Sequence, residues 1–315
     1  MYERWDPEML NAHAAFLDAA SRLPPITFSE PFEPQRAVND ALALQLAQGG
    51  PVMESRDVWV PARGRRVFCR LHKPMPAPGL PVMIYFHGGG WVWSSVDTHD
   101  RLTREYAEAS GCAVLSVDYA LSPEAKFPQA LEECVGVVRW VAEHGAAWGL
   151  DPARIVVGGD SAGANLALGA ALMLRDQAGP PVSGILAVYP VCDADFTTPT
   201  YAEFGGGGFF LTEEKMRFYW SVYARDMADR LNPLASPLRA NLAGLPPVLV
   251  QLAELDVLRH EGEQLAARLT AAGVTTALEV YSGVIHGFVR ATARVARARE
   301  AVGTAGVWLA RRTLG

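Results

Sequence analysis

The sequence of 315 residues lacks an apolar run long enough to cross a membrane. Its first ten residues, MYERWDPEML, carry acidic side chains and a proline where a signal peptide needs an apolar stretch. We therefore expect no membrane span and no secretion signal. By elimination, the expected compartment is the cytoplasm.

Clusters of positive charge and paired cysteines are also missing. The formal net charge is -6, which argues against a nucleic-acid partner, because such a partner requires clustered lysine and arginine. The four cysteines, Cys69, Cys112, Cys134 and Cys192, form no C-x-x-C pair, which is typical of reduced thiols and not of a metal site or a disulfide framework. The glycine runs match no phosphate-binding pattern. No metal or other cofactor is therefore expected.

Apolar segments alternate with helical segments through most of the chain. Eight short runs rich in Val, Ile, Leu and Tyr lie between residues 57 and 283. From the third run on, predicted helices separate them, at 96–110, 128–146, 162–177, 258–272 and 291–312. This alternation predicts an α/β protein with a mostly parallel eight-stranded sheet, covered by helices on both faces. The first two strands, with little chain between them, are predicted to form an antiparallel edge.

Two segments do not fit the alternation. Residues 6–23 and 34–48 have helical periodicity and precede the sheet, and residues 193–245 hold more chain than a single crossover needs. The predicted organisation is a catalytic domain with a helical cap: N-terminal cap helices over 1–50, the catalytic domain over 51–195 and 233–315, and a cap insertion over 196–232.

The predicted insertion is rich in aromatic residues. Phe209, Phe210, Tyr219 and Trp220 are expected either to line or cover a pocket or to pack in the interior.

The strongest motif is Gly159-Asp160-Ser161-Ala162-Gly163, which matches G-x-S-x-G between the predicted strand RIVVG and the predicted helix ANLALGAALMLRD. Small residues flank the serine because larger side chains would collide in so tight a turn, and the hydroxyl is thereby held above the sheet. The helix N-terminus adds partial positive charge near that oxygen. Ser161 is therefore the candidate nucleophile, and the alternative is a glycine-rich turn with an incidental serine.

A second glycine-rich segment, HGGGW at 87–91, directly follows the third predicted strand. Attack of a serine on a carbonyl produces a negative oxygen that must meet donors already in position. The backbone N–H groups of Gly88, Gly89 and Ala162 are the predicted donors. His87 has two other interpretations, as a metal ligand or as a catalytic base. Both are disfavoured, because Asp97, His99 and Asp100 are better explained as a helix start with a capping side chain.

The base and the acid are identified by chain order. A serine nucleophile needs a neutral imidazole and a carboxylate that orients it, and after a G-x-S-x-G turn the acid precedes the histidine. Of seven histidines, only His260 and His286 follow the serine, and His260 lies in a stretch typical of a solvated helix. His286 and Asp256 each follow a predicted strand, although Asp256 is also a plausible helix cap. Glu254 and Asp160 are either supporting groups or ordinary surface and turn residues.

The motifs in this order resemble the bacterial hormone-sensitive-lipase-like esterases, the family IV carboxylesterases. The resemblance rests on HGGGW at 87–91, DYALSPEAKFPQALEE at 118–133, GDSAGANLA at 159–167, GLPPVLVQLAELDVLRHEG at 244–262 and HGF at 286–288. It implies an α/β-hydrolase fold with a helical cap, no cofactor, and a homodimer formed through an edge of the sheet. The substrates that it implies are esters of short to medium acyl chains. Ala164 departs from the family, which more often has glycine there.

The family's nucleophile, acid and base map to Ser161, Asp256 and His286, and its oxyanion loop maps to Gly88 and Gly89. The sequence therefore predicts a serine carboxylester hydrolase. Two alternatives are hydrolysis of amides, lactones or carbamates with the same residues, and a non-catalytic receptor like the plant gibberellin receptors that resemble this family. Those receptors lack the catalytic histidine, so His286 favours the enzyme.

Overall fold

The structure, a computed structural model, describes residues 2–313. Residues 1, 314 and 315, which the predicted domain bounds include, lie outside the described part. The central sheet has eight strands, as the sequence predicts. They are β1 (Glu54–Ala62), β2 (Arg65–Lys73), β3 (Leu80–Phe86), β4 (Ala113–Asp118), β5 (Leu150–Asp160), β6 (Gly184–Val188), β7 (Val248–Leu255) and β8 (Thr276–Ile285).

The strands lie in the order β1-β2-β4-β3-β5-β6-β7-β8. β2 pairs antiparallel with both β1 and β4, which confirms the predicted antiparallel edge, and the remaining neighbours pair in parallel. Every residue of β3 is buried, as expected for a parallel strand with helices on both faces.

Helices cover both faces of the sheet. They are α1 (Pro7–Ala20), α2 (Phe32–Ala47), α3 (Asp100–Ser110), α4 (Gln129–His144), α5 (Ala162–Asp176), α6 (Pro199–Phe204), α7 (Glu213–Tyr223), α8 (Met227–Leu231), α9 (Arg259–Ala271) and α10 (Ala296–Thr313). α3 packs against α10. Because crossovers between parallel strands are right-handed as a rule, α3, which leads from β3 to β4, is assigned to one face of the sheet. The same rule assigns α4, α5 and α9, whose crossovers run in the opposite direction along the sheet, to the other face, and α4 and α5 pack together.

Two helices begin later than the sequence predicts. α3 begins at Asp100 because Thr98 forms a local turn with Ser95: its hydroxyl accepts from the Ser95 N–H at 3.0 Å and donates to the Ser95 carbonyl at 2.8 Å. α10 begins at Ala296, because a short 3₁₀ turn over Phe288–Ala291 intervenes after Gly287, whose φ is 83°.

The N-terminal helices and the α6–α8 region, both outside the predicted α/β alternation, pack against each other through aromatic side chains. Trp5, ahead of α1, stacks on Phe209 with ring centroids 5.7 Å apart. Phe32 in α2 lies 6.0 Å from Phe218 in α7 and 6.2 Å from Trp93 in the loop after β3. Two segments that are remote in sequence therefore share one packed layer, which also contacts the loop after β3.

Parallel pairing brings the carboxyl ends of several strands to one edge. Phe86 at the end of β3 pairs with Gly159 in β5, and Leu255 at the end of β7 pairs with Ile285 at the end of β8. The residues that follow these positions therefore meet in space.

Candidate active site

Ser161 occupies the turn between β5 and α5. Its backbone has φ 56° and ψ −120°, a conformation that a residue other than glycine adopts only under strain. The Ser161 N–H donates to the Val188 carbonyl at 2.8 Å, which fixes the turn to β6. A Cβ at Gly159 or Gly163 would collide with the Phe86 carbonyl oxygen, so both flanking glycines are sterically required.

Ser161, His286 and Asp256 form one hydrogen-bonded chain. His286 Nε2 lies 2.9 Å from Ser161 Oγ, and His286 Nδ1 lies 2.7 Å from Asp256 Oδ2. All three are buried, with the serine and the histidine each 7% exposed and the aspartate 1% exposed. The chain forms because Asp256 and His286 directly follow the paired residues Leu255 and Ile285.

Asp256 also has a local structural role. Its second oxygen, Oδ1, accepts from the Leu258 N–H at 3.1 Å and so holds the turn that leads into α9. α9 begins at Arg259 with Leu258 at its N-cap position, so Asp256 is not the helix cap itself. One carboxylate thus combines the orienting contact with the turn contact, and the two interpretations drawn from the sequence are compatible.

Tyr189 packs directly against His286. The ring centroids are 4.5 Å apart, and the tyrosine is buried with φ 34°. No motif in the sequence marks this residue, although it follows β6 as directly as Asp256 follows β7. The ring limits the orientations that the imidazole can adopt.

The prediction that the Gly88 amide donates to the oxyanion does not agree with the structure. The Gly88 N–H already donates to Asp160 Oδ1 at 2.8 Å, and this leaves it with no free hydrogen for a substrate. By contrast, within residues 2–313 the N–H groups of Gly89, Gly90 and Ala162 donate to no protein atom. The free backbone donors of the glycine loop are therefore those of Gly89 and Gly90, one residue further along the chain than the predicted pair, Gly88 and Gly89.

Close packing requires glycine at two positions of this loop. Gly89 has φ 124° and Gly90 has φ 61°. A Cβ on Gly89 would collide with the Trp93 carbonyl, and a Cβ on Gly90 would lie 2.6 Å from the ring of Tyr219 in α7. The loop is therefore held between the sheet edge and the helix above it.

His87 is a buried part of the loop's support and does not contact the serine. Its Nδ1 lies 2.8 Å from the Gly88 carbonyl, and its ring stacks on Tyr119 at 4.4 Å. Burial lowers the pKa of His87 to about 3, so the ring is neutral at ordinary pH. The described residues contain no group of three or more His, Cys, Asp or Glu side chains placed to hold a metal.

The helix start after His87 also differs from the prediction. His99 is the N-cap residue of α3, and its side chain makes no capping hydrogen bond. Asp97 and Asp100 instead accept from Arg70 Nη1, at 2.6 and 3.3 Å, because this arginine reaches them across the sheet edge.

His260 lies in α9, partly exposed, where its Nε2 is 3.1 Å from the Gln264 side chain. This agrees with its interpretation as a helix residue. Glu254 Oε2 accepts from the Gly283 N–H at 2.8 Å, and Oε1 accepts from Arg4 at 2.9 Å. Glu254 therefore links β7 to β8 and to the chain ahead of α1.

A cavity of about 100 Å³ lies against His286. Residues of α1 and α2 form one wall and the segment after β8 forms the other, and the lining includes Met9, Phe16, Ala43, Leu46, Phe210 and His286. The cavity is mostly apolar, with Arg290 and Asn39 among its polar lining residues.

The four predicted pocket aromatics have different positions. Phe210 lines the cavity and is 36% exposed, and Tyr219 lies over Gly90. Phe209 packs against Trp5, and Trp220 is wholly buried. Phe210 thus lies in the wall of the cavity beside His286, while Phe209 and Trp220 pack in the interior.

Comparison with known proteins identifies the family. A family model described as the α/β-hydrolase fold matches residues 83–290, more than half of the chain. Over 233 residues the chain is 39% identical to the carboxylesterase NlhH of Mycobacterium tuberculosis, and the match covers 73% of each protein. The chain belongs to the hormone-sensitive-lipase-like esterases. It is therefore a carboxylic ester hydrolase, which confirms the class predicted from the sequence.

Solved structures confirm the fold of this esterase. A thermostable esterase from Pseudomonas putida ECU1011 superposes with a TM-score of 0.88 at 36% identity and covers 98% of both chains. An α/β-hydrolase enzyme from the metagenome of Lake Arreo, Spain, superposes with a TM-score of 0.93 at 30% identity and covers 99% of both chains. In the described part of the esterase, no helix combines the length and apolar character that crossing a membrane requires.

Proposed function

We propose that Ser161 is the nucleophile of the esterase, His286 its general base and Asp256 the acid that orients the imidazole. The observation that carries this proposal is the unbroken hydrogen-bond chain, with distances of 2.9 and 2.7 Å on the two sides of the imidazole. The carboxylate accepts from Nδ1–H, which leaves Nε2 as the acceptor for the serine hydroxyl.

The first half-reaction forms an acyl-enzyme. Ser161 Oγ attacks the ester carbonyl carbon while its proton passes to His286 Nε2. The carbonyl oxygen becomes an oxyanion that accepts from the amides of Gly89, Gly90 and Ala162, which have no competing acceptor in the described chain. The imidazolium then protonates the leaving alkoxide, the C–O bond to the alcohol breaks, and the acyl group stays on the serine.

The second half-reaction releases the acid. A water molecule attacks the acyl-enzyme carbonyl, and His286 accepts the proton of that water. Ser161 Oγ leaves and recovers a proton from the imidazolium, which restores the starting state. The Asp256 carboxylate stabilises the imidazolium in both halves.

Turnover of p-nitrophenyl butyrate by the wild type and by Ser161→Ala tests the assignment. We expect the variant to lose about four orders of magnitude or more in kcat, because no other residue replaces the attacking oxygen. Diethyl p-nitrophenyl phosphate should add one diethylphosphoryl group to the wild type and none to the variant, measured by intact mass. Equal rates for the two proteins would reject the assignment.

We further propose esters of short to medium acyl chains as the substrates. The support is the small, mostly apolar cavity beside His286, which offers burial to a short alkyl group and few hydrogen bonds. A series of p-nitrophenyl esters from acetate to laurate tests this, with a maximum of kcat/KM expected at or below octanoate. A maximum at laurate would contradict it. A matched ester and amide of the same acid tests amide hydrolysis, for which we expect a much lower rate.

The domain organisation proposed for this esterase is a catalytic domain over 51–195 and 233–315, with cap segments formed by residues 1–50 and 196–232. The cap segments are supported by the aromatic contacts that join them and by Phe210 in the cavity wall.

Two other expectations stay predictions. A homodimer through the β8 edge is supported by Leu278 and Val280 on that strand, each 41% exposed, and sedimentation velocity tests it. The cytoplasm is supported by four buried cysteines with free thiols, and cell fractionation tests it.

A further inference from the structure

Asp160, the residue before the serine, is a buried carboxylate with defined partners. It is 3% exposed and ends β5. Its Oδ1 accepts from the Gly88 N–H at 2.8 Å and from the Tyr85 hydroxyl at 2.7 Å. A buried carboxylate is destabilising unless such donors are present, so these contacts are needed to keep the charge inside the protein.

The charge state of Asp160 follows from its neighbours. Burial by itself raises the pKa of this carboxyl, but His99, with Nε2 at 3.4 Å, and the Tyr85 hydroxyl outweigh burial and hold the pKa well below its usual range. Arg290 acts in the same direction. Asp160 is therefore ionised over the whole pH range in which an esterase is assayed.

Asp160 and Gly88 are also fitted to each other sterically. A Cβ at position 88 would collide with Asp160 Oδ2 and lie 2.9 Å from the Asp160 carbonyl oxygen. The first glycine of the loop is therefore required by the carboxylate and not by an oxyanion. Because Asp160 is covalently joined to Ser161, its bond to Gly88 fixes the glycine loop relative to the nucleophile.

We propose that Asp160 is a positioning residue for ester hydrolysis. Its carboxylate anchors Gly88, and the anchored backbone aims the amides of Gly89 and Gly90 at the oxygen that becomes negative in the transition state. The inference rests on the proposed oxyanion donors and extends them. Because the anchored amides act on charge that develops during the reaction, Asp160 contributes to kcat and not to substrate binding.

The main test is Asp160→Asn, which keeps the shape of the side chain and removes its charge. We expect kcat for p-nitrophenyl butyrate to fall about 10- to 100-fold, somewhat less than the ~10²–10³-fold typical for loss of a whole oxyanion donor, with KM nearly unchanged. The affinity for a trifluoromethyl ketone, which forms an oxyanion on the serine, should fall by the same factor. The pH profile of kcat/KM should gain or lose no ionisation, since Asp160 does not titrate in this range.

Glu133→Gln is the matched control. Glu133 is likewise fully buried and accepts a backbone N–H, that of Ala120 at 2.9 Å, but it does not contact Gly88 or the serine turn. Its replacement should change stability without changing kcat per folded molecule, with the folded fraction measured by circular dichroism. A similar loss of kcat in both variants would show a general effect of replacing a buried carboxyl group and overturn the inference.

A second variant tests the inference independently if Asp160→Asn does not fold. Tyr85→Phe removes the other donor to the same carboxylate oxygen and should lower kcat about 3- to 10-fold at constant KM, because the anchor is less constrained. Unchanged kcat in Tyr85→Phe, or a rise in KM at constant kcat in Asp160→Asn, would overturn the inference. An active Ser161→Ala would instead reject the proposed nucleophile, so the two failures are distinguishable.

Discussion

The carboxyl edge of the sheet and the cap segments are built in different ways. At the edge, Ser161, Asp256 and His286 each follow the last residue of a parallel strand, and strand register brings them within hydrogen-bond distance. In the cap segments, helices distant in sequence are joined by aromatic side chains such as Phe32 and Phe218. Backbone hydrogen bonding thus positions the three proposed catalytic residues, while side-chain packing shapes the space around them.

The largest expected effect comes from His286→Ala, which interrupts the hydrogen-bonded chain at the carboxyl edge of the sheet. We expect a loss of about four orders of magnitude in kcat, because neither proton transfer has another acceptor. Stopped-flow turnover of p-nitrophenyl acetate measures it. The melting temperature should change little, since the imidazole makes only two side-chain hydrogen bonds and borders a cavity. If the variant kept a tenth of the wild-type kcat, His286 would not be the general base.

Gly90→Ala tests whether the two regions are coupled. The added Cβ would meet the Tyr219 ring of α7 at 2.6 Å and strain a backbone with φ 61°, so the loop should shift. We expect kcat to fall about 10²-fold, as for loss of an oxyanion donor. Adding Tyr219→Ala should recover part of this loss by making space. No recovery would mean that backbone strain alone, and not the cap contact, displaces the loop.

His72→Gln separates stability from catalysis, because this residue lies in β2 away from the serine. Burial lowers the pKa of His72 to about 4, so between pH 6.5 and 4 the unfolded chain binds the proton more strongly and the folded state loses stability as pH falls. The loss attributable to this residue is about 2 kcal/mol between pH 7 and 5. Urea unfolding at both pH values should show a weaker pH dependence in the variant, with kcat at pH 7 unchanged. A pH dependence equal to the wild type would exclude this histidine as its source.

Phe210→Ala should have the smallest effect and one confined to the cap segments. Removing a partly exposed ring from the cavity wall should raise kcat/KM for laurate relative to butyrate by about 3- to 10-fold, since each added buried CH₂ contributes about 0.8 kcal/mol. Phe209→Ala is the matched control, because that ring packs on Trp5. It should lower stability by about 3 kcal/mol and leave chain-length preference unchanged. If both variants showed the same change in chain-length preference, the cause would be looser packing of the cap segments and not the loss of the Phe210 ring from the cavity wall.

The sequence predicted the eight strands, the tight turn at Ser161 and the three residues of the hydrogen-bonded chain. These features depend on local signals, such as glycines that flank a serine and polar residues that end apolar runs. It did not predict that the Gly88 amide is occupied, because that depends on a side chain 72 positions away in sequence. It also did not distinguish the position of Phe210 from that of Phe209. The two residues are adjacent and of the same type, and they differ only in whether the ring faces the cavity or the interior.

The amino-acid sequence by itself determined the class of this esterase and the chain order of its proposed catalytic residues, because strand periodicity and turn stereochemistry are encoded within a few residues. The tertiary structure decided which backbone amides are free, what supports the imidazole and which ring faces the cavity. Those outcomes depend on close packing between distant segments, where a shift of about one residue changes which hydrogen bond or contact forms. Asp160 illustrates both: its motif is local, but its function depends on a loop from another strand.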